Sequence, residues 1–257
     1  MLYERKIYML KKEREKEIIN ILRESNGYAT VKSLCSKIYA SESSIRRALS
    51  SLEDSGIINR IYGGAELIGD FSNVLDFKKR AFRNSSEKIA IAKKAAKLIN
   101  DGNVLFLDQS STAFYLALEI ADRKNITIAT NNIEIISALA PGKINLISSG
   151  GTLSRENRTC LIGTDASAAF GNILADYVFF SAKAVSEAGI YDCTREETAV
   201  RQSMLKNAKK KIFLCDSEKI GTCAPYRQCG IDEIDFIVCE KEIHAPYFAE
   251  YKNLQIL

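Results

Sequence analysis

The sequence contains very little proline and histidine, residues on which disordered chains and many metal or catalytic sites depend. Of its 257 residues, three are proline and one is histidine, and no low-complexity tract is present. Because 46% of the residues are hydrophobic and prolines are so few, we expect a chain that is folded throughout. The single histidine, His244, leaves little scope for histidine-based metal sites or for Ser-His-Asp catalysis. We therefore expect no metal, no cofactor and no catalytic residue.

Cysteine spacing and apolar runs exclude further classes. The seven cysteines are scattered from Cys35 to Cys239 and none are spaced as C-x-x-C, which argues against a disulfide framework and against a zinc module. No apolar run approaches the roughly 20 residues that a membrane span needs, and residues 1–16 lack the apolar segment of a signal peptide. We expect a cytoplasmic protein with no membrane partner.

The net charge of +4 does not by itself indicate a nucleic-acid-binding protein, since a basic patch must be local to compete for phosphates. Residues 1–66 contain 12 Lys and Arg against 9 Asp and Glu. Most of the positive excess therefore lies in the N-terminal part of the chain.

Apolar residues recur at helical spacing in three short segments near the N-terminus. The first helix is predicted over residues 13–25. Thr30 and Ser41 are placed to N-cap the second and third helices, and Gly56 is placed to end the third. Three short helices of this kind bury a small shared core.

A hairpin is predicted directly after the third helix. Residues 57–61 and 65–68 read as two short strands, and Gly63-Gly64 supplies the turn between them. Three helices followed by a hairpin indicate a winged helix-turn-helix, and we predict that this domain spans residues 1–68.

The face of the third helix opposite its apolar residues carries side chains that the small core does not need. The major groove of DNA admits one α-helix, whose first residues meet base edges while neighbouring groups bind phosphates. Arg46 and Arg47 can bond guanine edges or phosphates, although an Arg-Arg pair taken alone is more often a solvated charge. The candidate DNA-binding residues are Ser41, Glu42, Ser43, Ser44, Arg46, Arg47, Ser50, Arg60, Tyr62, Gly63 and Gly64.

The rest of the chain reads as a linker followed by an α/β domain. Residues 69–84 are charged and without a strong period, which favours a linker, and the second domain is predicted over 85–257. A first helix is predicted from residue 84 to about residue 100, with Ile89, Ala92, Ala96 and Ile99 on its inner face. Short apolar segments then alternate with helical ones, which is typical of a mostly parallel α/β sheet. The predicted strands are 103–108, 126–129, 144–148, 176–181, 211–215 and 235–239, and the predicted helices are 112–121, 132–140, 163–173, 195–209 and 242–250.

Polar residues follow three of the predicted strands, and ligands of parallel sheets gather at such carboxyl ends. At the first junction, hydroxyls and free amides at the start of a helix favour an anion. We expect the three junctions to line one cleft that binds a small-molecule effector. The residues concerned are Asp108, Gln109, Ser110, Ser111 and Thr112 at the first junction, Asn131 and Asn132 at the second, and Gly150 and Gly151 at the third.

The third helix and the hairpin carry a recognisable motif. The run S-E-S-S-I-R-R-A-L at residues 41–49, followed by Leu52-Glu53 and by G-I-I-N-R-I-Y-G-G-A at residues 56–65, resembles the N-terminal signature of DeoR-family bacterial repressors. The resemblance implies that the third helix is the recognition helix and that Arg46 and Arg47 contact DNA. Ala48 stands where the family has Asp, so a carboxylate that would orient the arginines is expected to be missing.

The resemblance continues into the C-terminal half. It implies an effector domain related in fold to ribose-phosphate isomerases and CoA transferases, which binds phosphorylated sugars or similar metabolites. Ser110 replaces a glycine in the family's L-D-x-G-T-T pattern, and we expect its Cβ to alter the phosphate site. Lys219 and Glu197 match a basic and an acidic position of the family, and each is as well explained by an ordinary loop or capping role.

These patterns favour a repressor of carbohydrate-metabolism genes whose affinity for operator DNA is controlled by a phosphorylated sugar. A homodimer or homotetramer is expected, since paired recognition helices read half-sites about one helical turn apart. Two alternatives stay open. One is an isomerase-like enzyme that uses Asp108, Glu197 and Lys219. The other is a DNA-binding protein that has lost its response to effector.

Overall fold

The computed structural model describes residues 11–25, 28–55, 57–61, 63–67 and 77–257. These residues divide into two compact units. The first is formed by the residues up to 67 together with Cys223–Pro225, and the second by the other residues from 77 onward. Within the described ranges, no helix combines the length and the apolar character that crossing a bilayer requires.

The first unit has the predicted order of three helices and a hairpin. Thr30 Oγ1 accepts a hydrogen bond from the amide of Ser33 at 3.0 Å, and Ser41 Oγ accepts one from the amide of Ser44 at 3.4 Å, so both predicted N-caps are confirmed. Gly56, predicted to end the third helix, lies outside the described residues. The elements are α1 (Lys11–Glu24), β1 (Tyr28–Thr30), α2 (Val31–Ile38), α3 (Glu42–Asp54), β2 (Ile58–Ile61) and β3 (Gly64–Leu67).

All of these elements contribute to one apolar core. Because the apolar residues of each helix recur at three- and four-residue spacing, each helix buries one face and leaves the other to solvent. The most deeply buried side chains are Ile18, Leu22, Leu34, Ile45, Leu49, Ile58 and Ala65.

The predicted hairpin is part of a three-stranded antiparallel sheet in the order β1-β3-β2. The sequence did not predict β1, which pairs with β3 through Ala29 opposite Ala65 and Thr30 opposite Gly64. The amide of Val31 donates to the carbonyl of Gly63 at 2.9 Å, which joins the turn of the hairpin to the start of α2. The hairpin is therefore fixed to the helices along one of its strands.

The second unit alternates strands and helices, as predicted. Its helices are α4 (Phe77–Phe82), α5 (Ser85–Ala96), α6 (Ser111–Glu119), α7 (Ile133–Leu139), α8 (Thr164–Gly171) and α9 (Arg195–Lys206). Its strands are β4 (Val104–Leu107), β5 (Thr127–Thr130), β6 (Asn145–Ser148), β7 (Thr152–Leu153), β8 (Leu161–Ile162), β9 (Ala175–Phe180), β10 (Ala184–Ser186), β11 (Gly189–Asp192), β12 (Ala208–Leu214), β13 (Tyr226–Cys229), β14 (Phe236–Val238) and β15 (Gln255–Ile256).

Seven of these strands form one parallel sheet in the order β15-β14-β12-β9-β4-β5-β6. Leu105 and Leu107 of β4 pack with α5, α6 and α7, whereas Phe106 packs with α8 and α9. Because neighbouring residues of a strand point to opposite faces, helices cover the sheet on both sides. The predicted α/β class with a mostly parallel sheet is confirmed.

Two smaller antiparallel sheets are formed by strands that follow strands of the parallel sheet in the sequence. They are β7-β8 and β10-β11-β13, and the sequence predicted neither. Their strands have only two to four residues, which is too short for an alternating pattern to be visible. The helix predicted over 242–250 is wrong, since only Pro246–Glu250 forms a short 3-10 turn. Pro246 lacks an amide hydrogen and disfavours the helical conformation of the residue before it.

The predicted linker differs from the structure, and so does one of the residues predicted on the inner face of the following helix. Phe77, expected in a linker reaching residue 84, lies in α4, is 5% exposed and contacts the ring of Phe114 edge-on with the ring centroids 5.4 Å apart. Residues 69–76 of that linker lie outside the described residues. Of the residues predicted on the inner face, Ala92, Ala96 and Ile99 are buried. Ile89 is 40% exposed, and its neighbour Lys88 is buried instead.

The turn of the hairpin gives a testable difference between two adjacent glycines. A Cβ on Gly64 would lie 2.4 Å from the carbonyl oxygen of Ala29, whereas a Cβ on Gly63 would meet no atom within 4 Å. We expect Gly64→Ala to destabilise the first unit by about 1–3 kcal/mol. Gly63→Asn is the control, because asparagine tolerates the positive φ of 79° at that position.

Hydrogen exchange of the intact protein, measured by mass spectrometry on peptides from residues 28–67, reports this difference. Faster exchange in Gly64→Ala alone is the expected result. Equal exchange in the two variants contradicts the close approach of β1 and β3.

Candidate nucleic-acid interface and effector site

Helix α3 separates its residues into a buried and an exposed face. Ile45, Ala48, Leu49 and Leu52 are buried in the core of the first unit. The predicted DNA-binding residues of the helix lie on the other face, where Ser41, Glu42, Ser43, Arg46 and Arg47 are exposed and Ser44 and Ser50 are half-buried.

The two arginines of this face have different partners. Glu42 Oε1 accepts hydrogen bonds from Arg46 Nε at 2.9 Å and Arg46 Nη2 at 2.6 Å. Arg47 Nε donates to the carbonyl oxygen of Ser43 at 3.2 Å. Ala48, 2% exposed, faces the core instead of the arginines. The expectation that a carboxylate is missing is therefore wrong for Arg46, since Glu42 provides one from the preceding turn, whereas the bond of Arg47 is to a backbone carbonyl.

The three serines at the start of α3 form a local hydrogen-bonded group. Ser41 Oγ caps the helix and also lies 3.1 Å from Ser43 Oγ and 3.0 Å from Ser44 Oγ. An N-cap hydroxyl satisfies one of the amides that a helix start leaves without an intrahelical partner. Ser41 has a structural role for this reason, and its role at DNA stays a prediction.

The hairpin brings a third guanidinium to the same side of the unit. The amide of Arg60 donates to Glu53 Oε1 at 3.0 Å, and Arg60 Nη1 lies 3.5 Å from Ser50 Oγ and 3.8 Å from Glu53 Oε2. These contacts hold the hairpin against α3. Tyr62, also predicted to bind DNA, lies outside the described residues. A depression of about 180 Å³ separates the helix from the hairpin, lined by Val31, Arg46, Leu49, Arg60, Gly63 and Gly64.

In the second unit, the predicted effector residue Asp108 is an anchor of the fold. It is fully buried at the end of β4. Its Oδ1 accepts from the amide of Ser110 at 3.0 Å, and its Oδ2 accepts from the amide of Ser181 at 3.2 Å and from Arg201 Nε at 2.8 Å. Both carboxylate oxygens are therefore engaged by the protein itself.

Arg201 is central to this arrangement, and the sequence did not predict it. Its side chain is 1% exposed and bonds Asp108 through Nε and Asp192 Oδ2 through Nη1, each at 2.8 Å. Burial lowers the pKa of the guanidinium, but the carboxylates of Asp192 and Asp108 more than offset this and hold the pKa above its ordinary value. One cation thus joins the ends of β4 and β11 to α9.

Glu197 lies next to Arg201 on α9 and is 6% exposed. Its Oε2 accepts from Gln109 Nε2 at 3.0 Å and its Oε1 from Asn157 Nδ2 at 2.9 Å. Gln109 Oε1 and Thr194 Oγ1 are buried with no hydrogen-bond partner among the described residues. Predicted residues 109 and 197 are therefore brought together, and Asn157 joins them without having been predicted.

Two predicted residues serve as helix caps. Ser110 Oγ accepts from the amide of Ala113 at 3.1 Å and caps α6, and Asn132 Oδ1 accepts from the amide of Glu134 at 2.9 Å and caps α7. Ser110 has a φ of −74°, which any residue adopts. The replacement of glycine by serine therefore needs no change of backbone. The expected effect of the Ser110 Cβ on a phosphate site stays a prediction.

The remaining junction residues are buried in the same region of the fold. Ser111 and Thr112 lie in the first turn of α6. Asn131 Nδ2 donates to Leu161 O at 3.1 Å and lies 3.3 Å from Cys160 Sγ, which ties β5 to β8. Their contacts are with the protein itself, and a role in effector binding stays a prediction.

The predicted glycines Gly150 and Gly151 both have positive φ, at 62° and 93°. A Cβ on Gly151 would lie 2.6 Å from the carbonyl oxygen of Ile162, whereas one on Gly150 would meet no atom within 4 Å. The close approach of β8 therefore requires glycine at position 151, whereas at position 150 only the positive φ favours glycine.

Lys219, predicted to bind a phosphate, lies after β12 and is largely buried. Its Nζ is 3.1 Å from Asp216 Oδ2 and donates to Ser181 Oγ at 2.7 Å. Ser181 also donates its amide hydrogen to Asp108, so Lys219 is two contacts away from the buried network around Arg201.

A second lysine from α5 lies near Lys219. Lys88 Nζ donates to the carbonyl oxygens of Arg80, at 2.8 Å, and of Arg83. Burial and the charge of Lys219 lower the pKa of Lys88 to about 8, with smaller contributions from Arg80 and Arg83 and an opposing one from Asp216. Lys183 has a lowered pKa as well, chiefly through burial, and Arg83 and Lys219 act on it. We define the cationic cluster as Arg80, Arg83, Lys88, Lys183 and Lys219.

The buried ion pairs of Arg201 predict a large effect on stability. We expect Arg201→Met to destabilise the protein by about 3–5 kcal/mol, because the carboxylates of Asp108 and Asp192 then lose their buried cation. Lys209→Met is the matched control, since Lys209 pairs with Asp176 at the surface, where such a pair contributes less than about 1 kcal/mol. Urea unfolding followed by circular dichroism measures both, and similar losses in the two variants contradict a special role for Arg201.

Known proteins resemble the chain over both units. Residues 14–70 match the family described as the DeoR-like helix-turn-helix domain, and residues 83–241 match the DeoR C terminal sensor domain. The HTH-type transcriptional regulator GolR of Listeria innocua is 32% identical over 94% of this chain and 95% of its own length. The lactose phosphotransferase system repressor of Lactococcus lactis is 31% identical over 96% of this chain and 98% of its own length.

Solved structures match at lower similarity. A ribose 5-phosphate isomerase A from Methanocaldococcus jannaschii has a TM-score of 0.40 and 21% identity, over 53% of this chain and 55% of that chain. A 4-hydroxybutyrate CoA-transferase from Porphyromonas gingivalis has a TM-score of 0.39 and 16% identity, over 65% of this chain and 51% of that chain. The two family matches follow one another along the sequence, and relatives above 30% identity span nearly all of it, so the chain belongs to the DeoR family of transcriptional regulators.

Proposed function

We propose that this protein represses genes of carbohydrate metabolism by binding duplex operator DNA through α3, and that a phosphorylated metabolite in the second unit controls this binding. The observation that carries the proposal is the division of α3 into a face that builds the core and a face that exposes Arg46 and Arg47. A helix with this division fits the major groove and places guanidinium groups at base edges and phosphates.

The proposed DNA-binding surface consists of the predicted residues of α3 together with Arg60, Tyr62, Gly63 and Gly64 of the hairpin. A homodimer or homotetramer is proposed with it, because two copies of α3 would read two half-sites separated by about one helical turn or a multiple of it. The names of the relatives support a repressor, since one of them is the lactose phosphotransferase system repressor.

Removing both arginines tests the DNA-binding surface. We expect the double variant Arg46→Ala/Arg47→Ala to lose operator affinity by at least tenfold, because each good contact to a base edge contributes about 1–3 kcal/mol. Fluorescence anisotropy with duplexes selected by the unaltered protein measures the affinity. The control, Lys124→Ala/Lys143→Ala, removes two exposed positive charges from the second unit and should bind as the unaltered protein does. Undiminished binding by the arginine variant refutes the surface.

The effector is proposed to be a phosphorylated sugar because the second unit contains cations that could bind the phosphate and polar side chains that could bind the sugar hydroxyls. The cationic cluster provides positive charge, although Arg83 pairs with Glu218 at 3.0 Å and Lys219 with Asp216 at 3.1 Å. The pKa of Lys88 is lowered chiefly by burial and next by the charge of Lys219, and an anion beside it would favour its protonated form. Glu197, Gln109, Asn157 and Thr194 provide buried polar groups, some of them without partners, that are able to bond hydroxyls. The effector changes operator affinity only if it binds two states of the protein unequally.

The pKa of Lys88 predicts how effector affinity depends on pH. Below pH 8 the ammonium is protonated with and without ligand, so this group contributes no pH dependence. Above about pH 8 it is neutral in the free protein, and a phosphate dianion must recruit a proton to it, so affinity falls by up to tenfold per pH unit. The phosphate itself does not titrate there, since its second pKa is about 6.

Calorimetric titration of a panel of sugar phosphates between pH 6.5 and pH 9.5, in buffers of different ionisation enthalpy, measures affinity and proton uptake together. Lys88→Gln keeps two donors for the carbonyls but does not titrate, and it should bind with no inflection near pH 8. An unaltered inflection in that variant assigns the proton to another group.

The catalytic alternative is less well supported by the geometry. An isomerase would need a free base, but both oxygens of Asp108 and both of Glu197 accept hydrogen bonds from the protein, and Lys219 pairs with Asp216. Turnover of ribose 5-phosphate by the purified protein would favour the enzyme. Operator binding that no sugar phosphate alters would favour a protein without effector response.

A further inference from the structure

Resting on the proposed DNA-binding function, we infer that Glu42 is a positioning residue that sets operator specificity. Its carboxylate holds Arg46 in the orientation that reads a base edge, and it lowers the attraction of the surface to DNA of any sequence. Glu42 thereby increases discrimination at the cost of affinity.

The bonds to Glu42 leave one edge of the Arg46 guanidinium available to contact DNA. Glu42 Oε1 takes the edge formed by Nε and Nη2, at 2.9 and 2.6 Å. A guanidinium has five donors in one plane, so the hydrogens on Nη1 and the second hydrogen on Nη2 remain at its far end. That end carries the parallel pair of donors that matches O6 and N7 of guanine.

Stability does not explain the pair. The side chains of Arg46 and Glu42 are 56% and 61% exposed, and exposed ion pairs four residues apart on a helix contribute little to folding. A carboxylate on a surface that meets phosphates also repels them. Glu42 also lies in the first turn of α3, where a carboxylate stabilises the helix slightly whether or not it bonds an arginine. What Glu42 adds beyond this is the pair of bonds that orients Arg46.

Arg47 offers the contrast within the same helix. Its Nε is bonded to the carbonyl oxygen of Ser43, so its charge is not offset by a carboxylate in this contact. A guanidinium with its full charge suits a phosphate, which attracts it without selecting a base. Arg60 lines the same depression between α3 and the hairpin as Arg46. Its guanidinium lies 3.8 Å from Glu53 Oε2, too far for a hydrogen bond, so Glu53 offsets its charge without fixing its orientation.

The experiment begins with the unaltered full-length protein and a random duplex library, which gives its preferred sequence. If no duplex is enriched, the proposed DNA-binding function fails, and the role of Glu42 fails with it. If one is enriched, affinities are measured for that duplex, for duplexes with each base pair changed singly, and for an unrelated duplex, over a range of salt concentrations.

Glu42→Ala should lower the discrimination at one base pair of each half-site by about tenfold and bind the unrelated duplex more tightly. For Glu42→Ala, the slope of log affinity against log salt concentration should become steeper by about 0.9, because Arg46, no longer bonded to Glu42, contacts one additional DNA phosphate. Glu42→Gln keeps an oxygen that accepts from Arg46, so it should retain most of the discrimination while also binding unrelated DNA more tightly. Melting temperature should change little in both variants.

The double variant Glu42→Ala/Arg46→Ala separates positioning from direct contact. If Glu42 acts through Arg46, Glu42→Ala has no effect on discrimination once Arg46 is absent. An effect that persists in this background shows that Glu42 itself reads a base, which overturns the inference. Unchanged discrimination in Glu42→Ala, or an equal loss of affinity for every duplex, overturns it as well.

Discussion

The second unit depends on one buried cation. Arg201 holds the carboxylates at the ends of β4 and β11, and Asp108 in turn fixes the amides of Ser110 and Ser181. A guanidinium in the protein interior requires carboxylate partners because burial of an unpaired charge is very costly. The loop ends on which the proposed effector site is built are therefore set by electrostatics as well as by the apolar layers around the sheet.

The fold was predictable where a pattern repeats over a whole element. In α3, apolar residues recur at positions 45, 49 and 52, and hydroxyl caps precede α2 and α3, so local preference and core formation agree. The pattern failed at one position of α5, where Lys88 is buried and Ile89 is exposed. Lys88 reaches backbone carbonyls of Arg80 and Arg83, and hydrogen bonds of this kind have no signature in hydrophobic periodicity.

The candidate sites were predictable to different degrees for a physical reason. The proposed DNA-binding face of α3 is contiguous in sequence, so one helix places Glu42, Arg46 and Arg47 together. The effector region combines residues separated by 88 positions in one pair, Gln109 and Glu197, and by 93 in another, Asp108 and Arg201. Polar residues after the predicted strands indicated where the effector region lies. The partners of each residue became visible only once the topology of the sheet was known.

The carboxylates on the proposed DNA-binding surface have a consequence for how such a protein would find its site. Three guanidinium groups, those of Arg46, Arg47 and Arg60, are accompanied by the carboxylates of Glu42 and Glu53. Long-range attraction to a polyanion follows net charge, whereas contacts to base edges act only at close range. With three such cations against two carboxylates among its described residues, the proposed surface would dissociate quickly from random duplex and stay bound longer where its hydrogen bonds are made. Each unproductive encounter along a chromosome would then be short.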